Sequence, residues 1–147
     1  TKKLFKDTEN FSSVDIKEFC LIYIMINNLN FFYQRLDLLE NIKFYKKENE
    51  LIFEKIMECL EDGNFDSLQI DDQLLIQIEK YANIKHIIQK NDQDESKIVE
   101  IFNDIKKELK THDLELRILE LESKFAKDFN QNTFDEINRL KKEQNIN

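Results

Sequence analysis

Few residues in this chain have the types and spacing that chemistry requires. Histidine occurs twice, at His86 and His112. His112 precedes Asp113, and a His-Asp pair belongs to the ligand sets of metal-dependent phosphohydrolases. Such a centre needs further His and Asp ligands that are not present here, so His112 is expected to be a solvated residue at a helix bend. Cys20 and Cys59 sit in separate apolar runs and read as buried free thiols, without the pairing that zinc or a disulfide would need. The only glycine is Gly63, so no glycine-rich loop can cradle a phosphate. Asp71-Asp72 suits a helix N-terminus, where negative charge is favoured, while Glu61-Asp62 near a C-terminus reads as solvated. None of these makes an acid–base dyad. The expectation is a non-enzymatic chain with no cofactor or metal site of its own.

Composition narrows the fold. With one Gly and no Pro in 147 residues, the tight turns of a β-sheet protein are improbable, and helices joined by polar turns are expected. Twelve Phe supply bulky packing groups in the absence of Trp. The net charge is −8, and Lys and Arg are scattered rather than gathered in a stripe, which disfavours direct nucleic-acid binding. The longest apolar run, Phe19 to Ile26, falls well short of the ~20 residues that a membrane span needs. A soluble, cytoplasmic, monomeric protein is expected, and a start at Thr1 reads as an excised piece of a longer one.

The first two thirds read as a helical bundle over residues 13–111, after a polar lead-in over 1–12. Ser12 or Ser13 is a candidate N-cap for a helix through about Asn28. Ile16, Phe19, Cys20, Tyr23, Ile26 and Asn27 trace its inner face, yet Leu21, Ile22, Ile24 and Met25 make the other side apolar too. A helix apolar all round belongs at the centre of a fold. Asn27 to Asn30 is a break, since Asn competes for the backbone. Further helices are predicted over about Phe31–Asn41 and Glu48–Asp62, the latter with Leu51, Ile52, Ile56, Cys59 and Leu60 inward and Gly63 as its C-terminal stop. A fourth spans about Asp71–Asn83, and Lys85–Lys90 is a short fifth. The polar turn Asn91–Ser96 carries Asp N-caps.

From Ile98 to Phe129 helical periodicity is unbroken by Gly or Pro, but the apolar face changes. At about 100° per residue, Ile98, Ile101, Phe102, Ile105 and Leu109 share one side, and Leu114, Ile118, Leu121 and Phe125 the opposite one. One long connector helix is predicted, kinked near Thr111-His112-Asp113. Asn130 to Asn132 is a turn, and Thr133 with Glu136 matches a capping box that opens a short last helix striped by Phe134, Ile137 and Leu140. Residues 112–147 therefore read as an antiparallel helical hairpin. Leu116, Leu119 and Ala126 lie off its seam. With Phe125, Phe129, Phe134 and Ile137 they are the candidate partner-binding residues.

Residues 18 to 66 carry a resemblance. Glu18 opens the apolar helix Phe19 to Ile26, a break follows at Asn27 to Leu29, then a second helix, the aromatic Phe44, and Leu51-Ile52-Phe53-Glu54-Lys55-Ile56 running through to Gly63. This pattern resembles the helical module shared by the C-terminal domain of DnaG-type bacterial primase and the N-terminal domain of DnaB-type replicative helicase. Leu29 stands where that family often has Pro. A lead-in at the front and the polar tail Lys141 to Asn147 fit the primase form, in which the hairpin ends the protein. The resemblance implies a domain that recruits primase to the replicative helicase, with the hairpin docked on the helicase N-terminal collar. Primer synthesis, zinc and magnesium would belong to upstream domains. The alternatives are the helicase N-terminal domain itself, which mediates ring assembly and primase binding, and a helical scaffold unrelated to replication.

Overall fold

A computed structural model of the chain describes residues 11–82 and 94–146, and every element in them is helical. Six α-helices follow one another: α1 (Ser13–Asn27), α2 (Leu29–Gln34), α3 (Lys47–Asp62), α4 (Asp72–Tyr81), α5 (Glu95–Lys127) and α6 (Gln131–Ile146). Short 3-10 turns occupy Leu36–Leu39 and Phe65–Ser67. The chain divides into two compact units, Thr1–Lys106 and Lys107–Asn147, and the division falls inside α5. The short helix expected over Lys85–Lys90 lies outside the described residues, as do His86 and most of the lead-in.

In the first unit α1 is the central helix that its sequence demands. Phe19, Leu21, Ile22, Ile24 and Met25 are all fully buried although they point in every direction around the helix. It packs against α4, α3 and α2, which is how one helix can be covered on all sides. Ser12 starts it: the Ser12 hydroxyl accepts from the Asp15 N–H while the Asp15 carboxylate accepts from the Ser12 N–H. Its end is handled by two amides. Asn27 and Asn28 donate through Nδ2 to the carbonyls of Tyr23 and Ile24, each at 2.8 Å, the second of these an acceptor that the Asn28 N–H leaves by turning to Met25. Asn27 is therefore exposed rather than part of the inner face.

The helix expected over Phe31–Asn41 is two pieces. After α2 the chain turns at Arg35, whose guanidinium pairs with Asp37 at 3.0 Å, and continues as the 3-10 turn Leu36–Leu39. The Leu38 carbonyl accepts instead from the Lys106 ammonium, at 2.6 Å. Burial in this setting lowers the pKa of Lys106. Leu38 and Leu39 are both buried by this arrangement, and Phe32 stacks on Phe102 with ring centres 4.9 Å apart.

Helix α3 stops where Gly63 adopts a left-handed φ of 68°, and the Gly63 N–H donates to Leu60. Ile52, Ile56, Cys59 and Leu60 are buried as expected, but Leu51 is 46% exposed. The fully buried Asn49 takes the inward position at the start of that stripe, because its amide bonds to Glu18. Helix α5 starts on Asp94, whose carboxylate accepts from the Lys97 N–H and the Ser96 hydroxyl; those bonds, the hydroxyl first, hold its pKa down. The kink expected near Thr111 does not interrupt the helix. Thr111 Oγ1 bonds back to the Lys107 carbonyl at 3.0 Å, and α5 runs on without a break in its hydrogen-bonded turns.

Candidate partner-binding surface

The second unit is built on one seam. Leu114 and Ile118 of α5 bury against Leu140 of α6, with Leu121 packed on the same cluster. Ile137 is 5% exposed and Thr133 8%, so both face inward from α6. Thr133 is thus an interior residue of the helix and not its cap. The helix starts three residues earlier, because Asn130 does the capping: its side-chain oxygen accepts from the Asn132 N–H at 2.8 Å, and its carbonyl from Phe134. Ion pairs cross between the two helices, Lys141 with Glu122 at 2.9 Å and Arg117 with Glu136 at 4.0 Å. Arg139 adds pairs to Glu136 and Glu143 on its own helix.

The candidate residues separate into three groups. Ile137 is buried on α6 and so is closed to a partner. Phe125, Phe129 and Phe134 meet beside the Asn130 turn, with Phe125 centred 5.2 Å from Phe129, edge to face, and 5.6 Å from Phe134. Of these, Phe129 is 80% exposed, Phe134 44%, and Phe125 half-buried. Leu116, Leu119 and Ala126 form the third group, on the side of α5 turned away from the seam; Leu119 is 61% exposed. The surface is therefore an aromatic tip and an aliphatic outer face. It presents four large exposed apolar residues within Leu116–Phe134. The exposed apolar groups of the first unit, Tyr33, Leu36, Tyr45, Leu51 and Ile76, are spread over α2, α3, α4 and the connections between them. Scattered exposure of that kind is ordinary, and a concentration is not.

A second feature went unrecognised at the sequence level. Glu18, noted above only as opening the apolar helix, is fully buried, and its two oxygens face the start of α3. Oε2 accepts from the Tyr45 N–H at 2.6 Å; Oε1 accepts from the Lys46 N–H at 3.3 Å and from Asn49 Nδ2 at 3.0 Å. The N-cap residue Lys46 offers no side-chain cap, and a carboxylate from another helix accepts from its N–H and from that of the residue before it. Burial nevertheless raises the pKa of Glu18 above 4.5. The signal was a lone acid beside an eight-residue apolar run, but nothing local identifies donors so distant in sequence.

His112 is half-buried on α5. Among the described residues, no three His, Cys, Asp or Glu side chains come together as a metal-ligand group. Also among them, no helix is long and apolar enough to cross a membrane. Comparison with known proteins returned no matching family model, no matching curated protein and no matching solved structure.

Proposed function

We propose that this chain is a non-catalytic protein-interaction domain: a helical bundle whose last two helices form an antiparallel hairpin that docks on a partner protein. The observation that carries this reading is the concentration of exposed apolar side chains on one small unit. Phe129, Leu119, Phe134 and Leu116 stay exposed although the two helices bury Leu114 and Ile118 against Leu140. Aromatic and aliphatic anchors left in water on a rigid helical support are what a protein interface requires at its centre.

The partner we propose is the N-terminal collar of the replicative helicase, which makes the chain the helicase-binding domain of a bacterial DnaG-type primase. This identification rests on the resemblance at residues 18 to 66. The helix break at Asn28 and the inward Ile52, Ile56 and Leu60 are compatible with it. In that role the domain is cytoplasmic, uses no metal or cofactor, and couples primer synthesis to unwinding by holding the primase at the fork. Affinity capture on the cognate hexameric helicase tests it. The full chain is expected to be retained, and the Phe129→Asp variant to wash through. Equal recovery of the two would remove the hairpin from the interface.

A further inference from the structure

The outer side of α5 has a regular spacing that its exposure alone does not reveal. Ile98, Phe102, Ile105 and Leu109 follow one another at steps of four, three and four, and all are buried. The same alternation continues through His112 to Leu116, Leu119, Ser123 and Ala126. This is one unbroken heptad stripe along a single helix, with Leu114 and Ile118 added as a second stripe on the other side. Its first half is covered. Its second half, from Leu116 to Ala126, lies exposed. A stripe at this spacing accepts a second helix lying nearly along it, and the small side chains of Ser123 and Ala126 let that helix approach closely.

Charge selects the occupant. Glu115 and Glu122 flank the exposed stripe on one side, Glu120 and Lys127 on the other. Glu122 is taken by Lys141 across the seam, whereas the exposed Glu115 and Glu120 have no ion pair among the described residues. A second copy of the chain fits poorly. Laid parallel, it would set Glu115 against Glu120 and offset this only through Lys127 and a Glu122 already taken by Lys141; laid antiparallel, each Glu120–Lys127 contact would be offset by a Glu115–Glu122 one. Resting on the docking role proposed above, we propose that this half-stripe receives one α-helix of the partner, apolar at its core positions and carrying Lys or Arg at the positions that meet Glu115 and Glu120.

A labelled synthetic helix tests this with the full chain, read by fluorescence anisotropy at physiological salt. One probe has Leu at its core positions and Lys at the flanking ones; its companion has Glu at the flanking positions. The Lys probe is expected to bind saturably and the Glu probe not. Leu119→Asp is expected to weaken the Lys probe about tenfold or more although it makes the chain more acidic, whereas non-specific attraction would strengthen. The double variant Glu115→Lys/Glu120→Lys is expected to switch preference to the Glu probe. Unchanged binding to Leu119→Asp, or an unchanged preference in the double variant, would overturn the proposal. Phe129→Asp separates the two readings, because the tip lies off this stripe: it should abolish helicase capture and leave probe binding intact. Helicase capture by a chain that ignores the Lys probe would sink the helix site alone. Probe binding by a chain that does not capture helicase would sink the named partner alone.

Discussion

At Glu18, three donated hydrogen bonds favour the charged carboxylate and burial opposes it. Burial is the larger effect, and the nearby Asp15 carboxylate adds to it, so the pKa rises. The sign of the linkage follows. A carboxyl group that binds its proton more tightly in the folded state adds stability below its unfolded pKa, near 4.5, and loses that contribution as pH rises through the folded value. Compared with Glu18→Gln, which cannot titrate there, the natural protein should gain stability as pH falls from neutral toward 4.5. Urea unfolding of both across that range checks this, and parallel curves would contradict it. Gly63 offers a second test at this scale. Its φ of 68° is costly for any residue with a side chain, and an added Cβ would lie 3.4 Å from the Tyr33 hydroxyl oxygen. Gly63→Ala should cost roughly 1 kcal/mol, read as a shifted urea midpoint. Gly63 could be read from its neighbours because a helix stop is a local event. Glu18 could not, since its partners Tyr45, Lys46 and Asn49 are close only once the fold exists.

Among the elements, the helix pair of the second unit depends on few contacts. Leu140 is fully buried against Leu114 and Ile118, and removing its side chain leaves a cavity that two helices cannot close without moving apart. Leu140→Ala should destabilise this pair by about 2–5 kcal/mol. Hydrogen exchange should then show faster amide exchange in α6 while α1 stays protected; uniform acceleration across both units would contradict the account. The crossing pair of Lys141 and Glu122 is half-exposed, so its loss should barely register. Periodicity made α3, α5 and the Leu114–Ile118 side of α5 legible, because each follows a simple repeat, and an unbroken apolar run did the same for α1. It failed where a distant group took over a local role. The 3-10 turn Leu36–Leu39 forms with Lys106 on the Leu38 carbonyl, and Asn130 rather than Thr133 opens α6, so that the helix begins earlier than its capping pattern implied.

For the whole molecule, the all-helical class was readable from the scarcity of Gly and Pro, and the division inside α5 lies close to the change of apolar side near Thr111. The candidate surface was legible as a list of residues but not as a shape. Sequence alone put Ile137 and Phe129 together, whereas the structure buries one and leaves the other 80% exposed. The proposed role also separates two oligomeric behaviours. A helicase-binding domain should sediment as a monomer when alone, and a ring-forming helicase N-terminal domain should not; concentration-dependent assembly in the ultracentrifuge would favour the latter. The central claim is that the aromatic tip and the outer face of α5 form the docking surface for a replicative helicase. Calorimetric titration of the full chain into the cognate hexameric helicase tests it most directly. Saturable binding is predicted, reduced at least about thirtyfold by Phe129→Asp and by Leu119→Asp, with the helical circular dichroism of both variants unchanged. No heat of binding from the natural chain, or variants that bind as tightly as the natural chain, would contradict the account.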